Sequence, residues 1–144
     1  RTVGVDKAIQ RLSSIGAVHI EDSDAVLIRS LRNTRNAIEH FSWQTSRAEA
    51  ELIIGQALSF AVGFADRELG YDISRRFHRD DTWRQLVERN AAFVEAHEAR
   101  LKQARRSDEF AYACDFCHAM TISIYGGSCA LCGHWNQIDP DEPF

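Results

Sequence analysis

Two groups of residues have the types and spacing to do chemistry. All four cysteines fall into two C-x-x-C pairs, Cys114 with Cys117 and Cys129 with Cys132. A C-x-x-C turn places two thiolates on one knuckle. Two knuckles offer four sulfurs to one tetrahedral ion, the arrangement of a structural Zn2+ site. Gly133, directly after Cys132, suits a knuckle whose backbone turns with positive φ. Cys114, Cys117, Cys129 and Cys132 are therefore the expected metal ligands, and no thiol is spare for redox or nucleophilic work. Two disulfides or an iron centre of rubredoxin type are the other uses of the same residues. His118 and His134 stand beside these cysteines and, with four sulfurs present, are left out of the expected ligand set.

The second group is Arg35, Asn36 and His40. On a helix Asn36 and His40 stand at i and i+4 and share a face, which Arg32 extends by one turn. Arg29, Arg32 and Arg35 against Glu39 form the most locally basic stretch of the helical part. An imidazole moves protons near neutral pH, and a guanidinium makes charge-assisted bidentate contacts to phosphoryl oxygens, so the set can grip a phosphodiester. The plainer reading is an Arg35–Glu39 surface pair worth roughly 0.3–0.5 kcal/mol, with His40 partly buried beside Phe41. The bare Arg-x4-His spacing is a weak motif, and its context carries it. The basic loop Arg75, Arg76, His78 and Arg79 is the next candidate for phosphate contact, or simply an exposed connection. His19 and His97 have weaker claims, His97 lying on a helix of mostly solvated charge.

The elements that must position these groups are helical. Val5, Ala8, Ile9 and Leu12 keep helical spacing, with Gly16 as a stop. Residues 17–20 are ambiguous. Glu21, Asp22, Ser23 and Asp24 supply N-cap chemistry for a second helix. On it Leu27, Leu31, Thr34, Ile38 and Phe41 form a stripe that fits packing against a partner helix. A third helix over about residues 46–69 is apolar around most of its girth, as in a helix central to a bundle. Residues 70–79 read as a polar connection with one buried aromatic, Phe77. A fourth helix is predicted from Asp80 and Asp81 to Arg106, with Arg100, Lys102, Arg105 and Arg106 complementing its C-terminal dipole. Beyond Ser107 the period changes to that of strands over residues 110–112, 121–125 and 135–138, with a turn at Gly126 and Gly127. Phe116, Tyr125 and Trp135 could form a binding face, but in so small a module they are read as its core, and residues 139–144 as a frayed tail.

This reading predicts a mainly α chain, a helical bundle over residues 1–106 followed by a small β zinc ribbon over 107–144. Of its residues, 44% are hydrophobic and 26% charged, which describes a folded, soluble protein. A net charge of −4 leaves no global nucleic-acid footprint, so any polyanion must be met by a local basic face. The most apolar stretch, residues 52–65, is short for a bilayer, so no membrane is expected. Paired thiolates without a secretory leader suit a cytoplasmic setting. The chain opens at Arg1 in mid-pattern, as a fragment lacking upstream helices would.

The run Arg35, Asn36, Ala37, Ile38, Glu39, His40, Phe41, on an amphipathic helix followed by a strongly apolar one, resembles the signature of the HEPN superfamily. The resemblance covers roughly residues 3–100 and leaves the ribbon outside. HEPN proteins are small helical bundles, often metal-independent endoribonucleases that act as homodimers with a composite site. The resemblance implies that Arg35 stabilises the phosphate, His40 transfers protons and Asn36 orients them. The 2′-hydroxyl of RNA would attack the adjacent phosphate, leaving a cyclic phosphate and a 5′-hydroxyl. The variant with Tyr two positions after the His, typical of toxins neutralised by nucleotidylation, is not met, because Ser42 stands there. The expected function is thus RNA cleavage, with the ribbon recruiting substrate or a protein partner such as an antitoxin or regulator. The rival is a non-catalytic nucleic-acid- or protein-binding regulatory module.

Overall fold

The computed structural model describes residues 4–104, 110–124 and 126–138. Arg105, Arg106, Tyr125 and the tail from residue 139, all assigned above, lie outside the described residues. Within them are six helices: α1 (Val5–Gly16), α2 (Asp22–Glu39), α3 (Arg47–Leu69), α4 (Ile73–Phe77), α5 (Asp81–Arg89) and α6 (Ala91–Ala104). A two-stranded antiparallel sheet follows, β1 (Phe110–Ala113) and β2 (Met120–Ser123).

α3 shows why its sequence is helical. Its first turn is closed by a capping box: Ser46 Oγ accepts from the Glu49 N–H, and Glu49 accepts from the Ser46 N–H at 2.9 Å. The Ser46 N–H, with the Thr45 and Ser46 hydroxyls, holds the Glu49 carboxyl below its usual range. One face packs on α6, where a Cβ on Gly55 would come within 2.6 Å of the Ala92 and Phe93 backbone. Only glycine permits that approach. The rest of α3 is less covered, with Leu52 and Ile54 about half exposed. An 18-residue window of this 23-residue helix has a mean hydropathy of 1.3, so by length and composition alone it could cross a bilayer, which residues 52–65 did not suggest.

The fourth predicted helix is two. α5 ends at Asn90, whose backbone leaves helical geometry at φ −118° and whose Oδ1 accepts from the Phe93 N–H at 2.9 Å, capping α6. An Asn side chain competes with the helix for its own backbone donors, and here it wins. The expected connection over 70–79 contains the short α4, capped by Asp72, and Phe77 is 39% exposed rather than buried. The helix stop falls on Ala17, in left-handed geometry, one residue after Gly16. The second helix starts at Asp22 without a side-chain cap, because Asp24 points inward instead.

One continuous core joins the helical part to the ribbon. Trp83, Val87, Phe93 and Val62 pack in the same cluster as Ile122, Leu131 and the four cysteines. Trp83 meets Phe93 edge-on with centroids 5.7 Å apart, and its Nε1 donates to the Cys132 carbonyl at 3.4 Å. Each such buried large side chain contributes about 1.5–3 kcal/mol. α1 and α2 lie outside this core. α1 buries no residue, and Ile15, Val26 and Phe41 are 81%, 63% and 99% exposed.

Candidate functional site

The two knuckles bring Cys114, Cys117, Cys129 and Cys132 together with all four Sγ atoms within 4.8 Å of one another, every residue buried. Cys114 and Cys132 sulfurs are 3.6 Å apart, as are those of Cys117 and Cys129. Four sulfurs about 2.3 Å from one ion form a tetrahedron with edges of about 3.8 Å, so the donor set fits a tetrahedral metal. Charge on the sulfurs is met by donors: the Cys132 N–H reaches Cys129 Sγ and the His134 N–H reaches Cys132 Sγ, both at 3.4 Å. Hydrogen bonds from Cys117 and Cys132, then from the Thr121 hydroxyl at 3.0 Å, draw the Cys129 thiol down. Hydrogen bonding to Cys129 pushes Cys117 up correspondingly.

Why the knuckles sit so is visible around two residues. Gly133 has φ +74°, as its place after Cys132 predicted, and a Cβ there would meet Ser74 O at 2.7 Å and the His78 Cβ at 2.6 Å. This knuckle thus rests directly on α4. Asn136, which the sequence did not single out, is 4% exposed. Its Oδ1 accepts from the Asp115 N–H at 2.8 Å, and its Nδ2 donates to Gly127 O and His134 O. It thereby ties one knuckle to the other. The expected closing strand over 135–138 reduces to a single bridge, Ser128 with Trp135. Trp135 is not core either, being 72% exposed. Phe116 is half-buried between His134, 5.6 Å away by centroid, and the Arg84 guanidinium.

Arg35, Asn36 and His40 all lie at the exposed C-terminal half of α2. His40 caps the helix, its N–H donating to Asn36 O at 3.0 Å. Arg35 is paired with Glu39 at 2.6 Å. No hydrogen bond joins the three side chains among the described residues. Arg32 does not extend their face, because it turns with Arg29 toward Asp6 of α1, and these contacts hold the Asp6 carboxyl below its usual range.

A buried polar chain went unread in the sequence. Asp24, with its side chain 1% exposed, accepts from Arg100 NH2 at 2.8 Å and NH1 at 3.0 Å. Arg100 Nε reaches Ser59 Oγ at 3.4 Å, and Ser59 Oγ lies 3.4 Å from His97 Nδ1. His97, read as solvated, is 4% exposed and stacked on Phe93. The one local signal was a serine inside an otherwise apolar helix.

Burial, and then the charge of Arg100, lowers the His97 pKa to about 4 from 6.5. The unfolded chain therefore takes up a proton at His97 that the folded chain refuses. This contribution to stability is complete above pH 6.5 and lost as the pH falls from 6.5 toward 4, a total of roughly 3 kcal/mol. Urea unfolding at pH 7.5, 6 and 5 checks it. His97→Gln, which keeps the cysteine site common to both proteins, is expected to show the shallower decline, and equal slopes would contradict the assignment.

Where the ribbon meets the helices, an open cleft of about 760 Å³ is lined from α3, α4, α6 and the second knuckle. A smaller one, about 370 Å³, lies between α2 and α3 above Asp24 and Arg100. Neither is lined by Arg35, Asn36 or His40. Compared with known families, characterised proteins and solved structures, the chain matches none of them.

Proposed function

We propose that this chain is a metal-independent endoribonuclease of HEPN type, cytoplasmic and homodimeric, with a Zn2+ ribbon that brings substrate or a partner to the helical site. The observation that supports it most is on α2. Arg35, Asn36 and His40 are exposed beside Ile38 and Phe41, which are 50% and 99% exposed. Uncovered apolar groups next to polar ones mark an interaction surface. A second copy on this face would cover them and bring two Arg/His sets together.

In that arrangement Arg35 leaves Glu39 for a phosphoryl oxygen and offsets the charge gathering there as the RNA 2′-oxygen attacks phosphorus. The bond to the 5′-oxygen breaks. His40 of one copy takes the 2′-proton and His40 of the other gives one to the departing oxygen, leaving a cyclic phosphate and a 5′-hydroxyl. Positioning and charge stabilisation are the main demands of this step. The ion takes no part, since four sulfurs fill a tetrahedral site and leave no open position. We assign it as Zn2+ on that donor set.

The 2.6 Å Arg35–Glu39 pair favours a second reading, a non-catalytic binding or regulatory module. Labelled single-stranded RNA incubated with the protein, with and without EDTA, separates the two. Cleavage in both buffers is expected, and His40→Ala is expected to slow it by roughly 10²–10⁴-fold. Intact RNA, or equal cutting by His40→Ala, leaves only the binding module. A strict monomer by light scattering removes the composite site.

A further inference from the structure

We infer that the cleft between the ribbon and the helices is a binding site for a single-stranded nucleic acid, gripping its phosphates with Arg75 and Arg79 and stacking a base on Trp135. This deepens the proposed function by locating substrate recruitment, and it rests on that reading only in choosing RNA over DNA.

Charge is the first argument. Four arginines line the cleft: Arg67, Arg75, Arg79 and Arg100. Two are already engaged, Arg100 by Asp24 and Arg67 by Glu68 at 3.0 Å and Asp24 at 3.8 Å. Arg75 and Arg79 are exposed, and neither has an ion-pair partner among the described residues. Asp72 also lines the cleft, but its carboxylate is occupied in capping α4, accepting from the Ser74 hydroxyl and the Arg75 N–H, both at 2.8 Å. Asp66 on the α3 side, and the charge that Asp72 keeps, are what an incoming phosphate would have to avoid. In a chain of net charge −4, two unmatched guanidiniums at one cleft are a local exception.

Shape and aromatic surface are the second. The cleft volume lies within the roughly 300–1,000 Å³ of typical ligand sites. On its ribbon side stands Trp135, 72% exposed and backed by Gly127, whose added Cβ would touch the indole at 3.3 Å. A large, supported and uncovered indole beside unpaired arginines is the combination by which proteins hold single strands: cations for the backbone, a flat ring for an unstacked base. A duplex keeps its bases stacked and cannot use the ring.

The floor is rigid enough to preserve this spacing. Gly133 puts the second knuckle in contact with α4, so the arginines and Trp135 come from two elements packed together.

The test measures binding, not cleavage, using His40→Ala as the parent and a fluorescent decauridine RNA followed by anisotropy across a salt series. Arg75→Gln with Arg79→Gln is expected to weaken binding at least tenfold. It should also flatten the dependence of log K on log salt by about 1.4, two phosphate contacts at ~0.7 each. Trp135→Ala is expected to weaken binding roughly tenfold or more, in line with loss of one stacked base. Circular dichroism and metal content confirm that each variant is folded. Absence of RNA binding, an unchanged salt slope in the arginine pair, or equal affinity for a duplex of the same length overturns the inference. Binding here by a protein that never cuts RNA would sink only the nuclease reading. Cutting that ignores these three residues would sink only this one.

Discussion

Cys129→Ser is expected to release the metal and to loosen α5 and α6 together with the ribbon. The reason lies in the shared core. Cys129 and Cys132 are in one buried cluster with Trp83, Val87 and Phe93, and Trp83 donates to the Cys132 carbonyl. Binding of a structural Zn2+ by four thiolates supplies on the order of 10 kcal/mol in small domains. That is comparable with the whole stability of an ordinary domain, about 5–15 kcal/mol. Without the ion, three thiols and a serine hydroxyl must stay buried with no metal to draw them together, and the knuckle resting on α4 has nothing to hold it. Metal analysis should fall from about one ion per chain to near none. Hydrogen exchange should rise in α5 and α6 as well as in the ribbon, while α1, which buries no residue, changes little. Native protection of α5 and α6 in the metal-free variant would show that the ribbon is only appended.

How far the chain could be read in advance follows from how local each signal is. The cysteine pairs and Gly133 are local, and the structure brings the four sulfurs together as their spacing demanded. Ser46 and Glu49 are three residues apart, so the start of α3 was legible too. The break at Asn90 was not, because Asn continues a helix or caps one depending on the turn that follows. Asp24 read as a cap for the same kind of reason: four polar residues offered themselves, and its partner Arg100 lies 76 residues away. His97 looked solvated because charged residues surround it in sequence, whereas on α6 it faces Ser59. The stripe on α2 had the right period. Leu27, Leu31 and Thr34 are half-buried while Ile38 and Phe41 are not, so the period was legible and the partner was not.

The buried pair leads to the second large effect. Arg100→Met is expected to destabilise the fold by about 3–5 kcal/mol, the cost of leaving one partner of a buried pair without the other. Asp24→Asn is expected to cost less. The asymmetry is geometric: the Asp24 side chain is 1% exposed and cannot reach water, whereas Arg100, 23% exposed, opens onto both clefts. Arg67, 3.8 Å from Asp24 and shared with Glu68 at 3.0 Å, offsets only part of that loss. Methionine keeps the apolar stem that passes Gly63, where an added Cβ would meet Arg100 Cδ at 2.7 Å, so the loss reports charge rather than packing. Asp24→Leu combined with Arg100→Met should recover most of the stability, because a buried pair replaced by apolar groups is often nearly neutral. Urea midpoints for the wild type, Asp24→Leu, Arg100→Met and the double variant close the cycle, and simple additivity of the two losses would mean that the pair does not couple α2 to α6. Arg100 is also the second cause of the low His97 pKa. Its removal should therefore raise that pKa and narrow the acid-sensitive range, a change that NMR titration of His97 reads separately from the loss of stability.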